Sequence, residues 1–219
     1  MRAHDPGPPH YLISVDLGIA PARTAIAVME IHGVRPKVEL HVRAISRPPL
    51  GTKTAAIIDE TREVSDRLGE QFVRQYARWA DPDALRGAYR SVLVDLTGSG
   101  LPALALFDHA GVHPIPIWIT NGIGFSHESR GYRVARPDLI SALALLVEDG
   151  QVKVAAALTE APTVLREFQT FQRTTPLGTP DERALWRERP DDDLVLSLAM
   201  GAWYAQHGSR VSTQKLRGL

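Results

Sequence analysis

A chain of 219 residues with 44% hydrophobic content is long enough to bury a sizeable core as one compact domain. Its 25 Lys and Arg balance its 25 Asp and Glu, so overall charge offers no attraction to a polyanion and any nucleic-acid contact must arise locally. The absence of cysteine excludes disulfide frameworks, thiolate metal sites and cysteine nucleophiles together.

Residues 1–10 are polar and proline-rich and read as a flexible lead-in, without the apolar run of a signal peptide. No apolar stretch reaches the ~18 residues of a membrane helix, so a soluble protein with no membrane partner is expected. Residues 11–16 form an apolar, β-branched segment that stops at Leu17-Gly18, the pattern of a buried strand before a turn. Residues 24–31 (TAIAVMEI) and 38–45 (VELHVRAI) are two further strands, joined by hairpin punctuation at His32-Gly33 and Pro36. Short connections make the three antiparallel neighbours. Residues 59–79 switch to helical spacing, with Val64, Leu68, Phe72, Val73 and Tyr76 on one stripe, and Asp81-Pro82 ends the run.

Residues 91–95 (SVLVD) are a short apolar strand, followed by a Thr97–Gly100 turn and a helix over 101–110; strand, glycine turn and helix predict a parallel crossover. Residues 112–119 make a fifth strand, which Pro114 and Pro116 push toward a sheet edge. Residues 121–136, rich in Gly, Ser, His and Arg, read as a loop or small hairpin too polar for core. A helix follows over 137–149, with Pro137 at its first position and Gly150 past its end. Residues 152–155 suit a short extra strand, 161–172 an amphipathic helix, 174–190 a polar loop, and 194–207 an apolar helix packed on the sheet. Residues 208–219 read as a flexible basic tail, which leaves 11–207 as the folded domain. The expected fold is α/β, with a five-stranded mixed sheet, three antiparallel strands then two parallel, flanked by helices.

The acidic residues concentrate where such a sheet builds sites. Asp16 and Asp95 each end an apolar strand just before a glycine-containing turn. Parallel pairing of the first and fourth strands places them side by side, on strands about 4.8 Å apart. A third source is Asp191-Asp192-Asp193, at the start of the apolar C-terminal helix, where one aspartate can cap the helix and others face the sheet. Singly, each acid suits a turn or an N-cap. Together they ask for a cation, because ionised carboxylates are costly to bury unpaired. Oxygen donors favour Mg²⁺ or Mn²⁺, and two ions about 3.5–4 Å apart would support phosphodiester hydrolysis.

With these residues in place, most of the chain resembles the nuclease domain of phage terminase large subunits. Residues 13–18 (ISVDLG) with 24–28 (TAIAV) are similar to that family's first acidic motif, 94–100 (VDLTGSG) to its second, and 192–199 (DDLVLSLA) to its third. Residues 134–146 with 149–152 (DGQV) resemble the stretch that carries a basic residue, here Arg136, ahead of an Asp-Leu helix. The resemblance implies a ribonuclease H-like fold and a metal-dependent endonuclease that cuts concatemeric double-stranded DNA during genome packaging in the cytoplasm of a bacterial host. It implies Asp16, Asp95 and Asp193 as catalytic, with Asp16 binding both metals, Asp95 one, and Asp192 and Asp193 completing the shell. It also implies, as partners, a packaging ATPase, a small terminase subunit or a portal. The chain departs from the family pattern at Ala22-Arg23, where relatives carry a further aspartate, at Asp191, where they often carry histidine, and at Pro137 after the basic residue. A motor would need a phosphate-cradling Gly-rich loop, of which residues 51–54 (GTKT) are only a fragment. An isolated nuclease domain, a separate nuclease part or a prophage remnant is therefore expected.

Other features carry less. Arg130, Arg133 and Arg136 recur at every third position, a spacing that suits phosphate contacts as well as ordinary surface charge. His109 and His113 straddle a helix end and read as surface histidines; His127 sits in the polar loop, nearer a substrate path. Trp118, Trp186, Trp203 and Tyr204 read as packing aromatics. Competing functions are a Holliday-junction resolvase, an actin-like ATPase and a non-catalytic DNA-binding remnant.

Overall fold

The computed structural model describes residues 9–18, 22–76, 89–173 and 192–208. Strand β1 (His10–Asp16) is buried along its whole length, as a strand covered on both faces must be. It pairs antiparallel with β2 (Ala25–Val34), which pairs antiparallel with β3 (Lys37–Ser46), so the opening meander follows the sequence reading. On its other side β1 runs parallel to β4 (Arg90–Asp95), in register from Tyr11↔Arg90 to Val15↔Val94. Strand β5 (Ile115–Thr120) continues the parallel half.

The sheet has eight strands rather than five. Strands β6 (Phe125–His127) and β7 (Tyr132–Ala135) form a hairpin whose second strand pairs parallel with β5, and β8 (Val152–Val154) pairs parallel with β3. The order is β6-β7-β5-β4-β1-β2-β3-β8. Residues 121–136 looked too polar for core because Gly, Ser and Arg dominate the composition, yet in β7 only Arg133 points outward while Tyr132, Val134 and Ala135 are buried.

Strand β5 is therefore interior, against the expectation drawn from Pro114 and Pro116. The carbonyl of Ile117 accepts from Leu96 N on the β4 side, so the ring nitrogen of Pro116 faces β7, whose ladder begins only at Ile117↔Tyr132. The missing donor costs no sheet bond there. Gly131 lets the chain pass this point: a Cβ on it would lie 2.0 Å from the Pro116 carbonyl oxygen. Gly131→Ala should lower stability by about 1–3 kcal/mol in urea unfolding, since backbone must shift; a change below about 0.5 kcal/mol would contradict this packing.

Helices cover both faces. Helix α1 (Thr54–Tyr76), starting ahead of the predicted residue 59, and α2 (Gly100–His109) enclose one core with Ile13, Val15, Val92 and Val94. Helices α3 (Arg136–Glu148), α4 (Ala161–Arg173) and α5 (Asp193–His207) cover the opposite face. Helix α5 is buried from Asp193 to Ala205, which explains its lack of a polar stripe. It lies close enough to the sheet that a Cβ on Gly201 would fall 2.3 Å from the Met29 methyl. Trp203 and Tyr204 are buried core aromatics and Trp118 packs partly buried against the other core, as read from sequence; Trp186 and Asp191 lie outside the described residues. Of the lead-in over 1–10, residues 1–8 are also outside them while His10 already belongs to β1; the 174–190 loop and all of the 208–219 tail but Gly208 lie outside them too. No described helix is long and apolar enough to cross a membrane.

Candidate metal centre

Three element ends meet at one place. One step beyond the last β1–β4 pair, Val15↔Val94, both strands end in aspartate: Asp16 and Asp95. Both are buried. The N-terminus of α5, which packs across β1 and β2, brings Asp192 and Asp193, also buried. Asp192 occupies the N-cap position without a side-chain capping bond, so the expected capping role is not the one observed; its carboxylate instead receives Arg136 Nη2 from the start of α3.

Two residues absent from the sequence reading complete the cluster. Arg47, just past β3, clamps Asp193 with Nε and Nη2 at 2.8 and 2.5 Å, and its Nη2 lies 3.3 Å from Glu167. Glu167 on α4 is buried and accepts from Val195 N at 3.2 Å. Its signal was readable: Val164, Glu167 and Phe168 fall at i, i+3 and i+4, so a carboxylate interrupts the apolar stripe of an amphipathic helix. Nothing in the Ser46-Arg47-Pro48 sequence singles out Arg47.

The charges do not cancel. Among the described residues, the five buried carboxyls of Asp16, Asp95, Glu167, Asp192 and Asp193 face two guanidiniums, those of Arg47 and Arg136. Arg47 serves Asp193 and Glu167; Arg136 serves Asp192. Among the described residues the Asp16 carboxyl makes no hydrogen bond or ion pair, although its backbone pairs with Ala25. Burial raises its carboxyl well above the usual aspartate range, and the charges of Asp95, Asp192 and Asp193 raise it further against the pull of Arg136. Burial likewise pushes Asp95 up to about 6, although the side chain and amide of Thr97 stabilise its anion, the amide at 2.7 Å. Burial and Asp193 raise Glu167 to about 7. This surplus of buried oxygen donors fits a hard divalent cation. Among the described residues, no three of the aspartates bring one oxygen each within 4.8 Å of one another, consistent with Asp192 and Asp193 being held by arginines.

These shifts set a pH dependence. A carboxyl at about 6 when folded and near 3.8 when unfolded binds more protons in the folded state between those values. Its contribution to stability is thus present at acid pH and lost as pH rises through about 6. In EDTA, Asp95→Asn should be more stable than the parent above pH 7 by on the order of 2–3 kcal/mol, and no more stable near pH 4. An equal difference at both pH values would show that burial of the ionised Asp95 carboxylate is not what destabilises the parent.

The three arginines of the triplet have three different partners. Arg136 is half-buried and serves Asp192, whereas Arg130 chelates Asp108 at 2.7 and 2.9 Å and Arg133 pairs with Glu128 at 2.9 Å, both exposed. His113 rests on Asp108 at the surface, and His127 is exposed with its ring against Tyr132.

A mixed sheet with an antiparallel meander, a parallel half and helices on both faces defines a ribonuclease H-like fold. Among solved structures it is similar to the large terminase nuclease of the thermophilic phage G20c, with TM-score 0.53 and 20% identity, covering 91% of this chain and 83% of that one. It is also similar to the Mn-soaked human cytomegalovirus terminase nuclease domain, with TM-score 0.51 and 11% identity, covering 96% of this chain and 92% of that one. At such identities the likeness carries the fold. No family model and no curated protein matches the chain.

Proposed function

We propose that this chain is a divalent-metal-dependent endodeoxyribonuclease of the terminase type, acting on double-stranded DNA during genome packaging. The observation that carries the reading is the pair of buried strand-end carboxylates, Asp16 and Asp95, left with a surplus of negative charge beside Asp192 and Asp193. The similarity to two terminase nucleases, one of them Mn soaked, supports it.

Asp16, Asp95, Asp192 and Asp193 would hold Mg²⁺ or Mn²⁺, two ions in the full site, with Asp16 shared between them. Bound ions of this kind activate water and stabilise the leaving oxygen of a phosphodiester. The chain's own contribution is placement. The β1–β4 ladder fixes Asp16 and Asp95, Thr97 orients Asp95, and Arg47 fixes Asp193 with two hydrogen bonds. Arg136 partly neutralises the cluster through Asp192, and its guanidinium would be available to a phosphate if bound cations took over that charge. Arg130 and Arg133 contact the DNA backbone outside the site. Residues 11–207 act as the nuclease domain, working with a packaging motor, a small terminase subunit or a portal in the bacterial host cytoplasm.

One observation favours a non-catalytic DNA-binding protein instead: Arg47 and Arg136 already hold Asp193 and Asp192. Incubation of supercoiled plasmid with the purified chain in Mg²⁺, Mn²⁺ or EDTA separates the two. Nicking or linearisation that requires a metal is the result expected of the nuclease. DNA retardation without cleavage in either metal would favour the non-catalytic reading.

A further inference from the structure

A second set of donors lies at the opposite end of the sheet. The sequence Glu30-Ile31-His32 on β2 is echoed by Glu39-Leu40-His41 on β3. Strand alternation turns Ile31 and Leu40 into the core, where both are buried, and sends the four polar side chains to the other face. Antiparallel register then sets Glu30 opposite His41 and His32 opposite Glu39. The two imidazoles meet across the diagonal of this square, with ring centroids 4.3 Å apart.

We propose that Glu30, His32 and His41 form a metal site of their own, taking one borderline divalent ion of the zinc class. One ligand atom from each of the three lies within 4.8 Å of the others. The carboxylate is oriented before any ion arrives: Arg43 donates to Glu30 Oε2 at 2.5 Å and a His32 nitrogen lies 3.0 Å from the same oxygen. Burial acts to raise the Glu30 carboxyl, but the hydrogen bonds from Arg43, His32 and Tyr11 outweigh it and keep the group below its ordinary value, hence ionised. His41 is held in turn by Glu39 at 3.0 Å, and Glu39 by Lys153 at 2.6 Å. A carboxylate behind a ligating imidazole is the usual outer shell of such sites.

Donor chemistry selects the ion. Two imidazoles and one carboxylate suit Zn²⁺, Co²⁺, Ni²⁺ or Cu²⁺, whereas the aspartates at the far end suit Mg²⁺ or Mn²⁺. Both histidines are half-buried, so an ion can enter from solvent and keep water in its remaining positions. The sites are separate. Ala25 pairs with Asp16, and the five residue steps along β2 from Ala25 to Glu30 span about 17 Å. The ion would pin β2 to β3 on the face opposite Ile31 and Leu40, and the site does not depend on the nuclease reading.

The test uses the untagged full chain stripped with EDTA. Isothermal titration with Zn²⁺ and visible absorption with Co²⁺ should each report one equivalent bound, unaffected by millimolar Mg²⁺. His32→Ala and His41→Ala should each weaken Zn²⁺ binding at least tenfold, with His41→Gln as a milder variant and far-UV circular dichroism confirming the fold of all three. Asp95→Asn should leave it unchanged. The proposal is overturned if neither metal binds, if the affinity survives in the folded histidine variants, or if Asp95→Asn abolishes it.

Discussion

Asp16→Asn and Asp95→Asn are each expected to lower metal-dependent plasmid cleavage by about 10³-fold, equivalent to about 4 kcal/mol of transition-state stabilisation. The two carboxylates end adjacent parallel strands, and the surrounding arginines are engaged by Asp192, Asp193 and Glu167. Removing either charge therefore removes the oxygen donors with the least competition from a guanidinium. The loss should appear in the nicking rate while far-UV circular dichroism is kept and the unfolding midpoint does not fall, because asparagine at position 95 can still accept from Thr97 N. Wild-type rates in both variants would sink the assignment of these residues.

Arg47→Ala should act in the opposite way, through stability. Arg47 is the counter-charge of two buried carboxyls, Asp193 and Glu167, whose side chains are each 5% exposed. Breaking a buried pair from one side leaves uncompensated charge and typically costs about 3–5 kcal/mol. Urea unfolding at pH 8 should show a loss of that size, and Glu167→Gln in the same background should recover part of it, since the two residues share one network. A loss under about 1 kcal/mol would mean that solvent screens the site far more than its burial implies. Mn²⁺ should also reduce the deficit, by taking over the charge that Arg47 leaves.

The central strands were legible because burial on both faces leaves only apolar residues between turn signals: residues 11–16 and 91–95 admit few other readings. Their terminal aspartates were legible for the same reason, each being the one charge at the end of such a run. The hairpin of β6 and β7 is one of the two readings residues 121–136 allow, but the burial of β7 was not legible, since four residues in a Gly- and Arg-rich stretch give too short an alternation to stand out and that burial depends on β5 beside it. The edge placement of β5 failed on a detail invisible in sequence: the neighbour that Pro116 cannot bond begins one residue later. Arg136 was read as a member of a periodic basic row, but the strand-to-helix junction after Ala135 turns it inward to Asp192 while Arg130 and Arg133 remain outside. Glu30, His32 and His41 come together only through the β2–β3 register, which strand periodicity alone does not fix.

Anomalous diffraction from crystals of the chain soaked in Mn²⁺ locates the ion itself rather than its consequences. An anomalous peak coordinated by both Asp16 and Asp95 is expected, with Asp192 or Asp193 completing the shell and Arg136 displaced. Absence of a peak there, with Asp16 and Asp95 ordered and Arg136 still on Asp192, would contradict it.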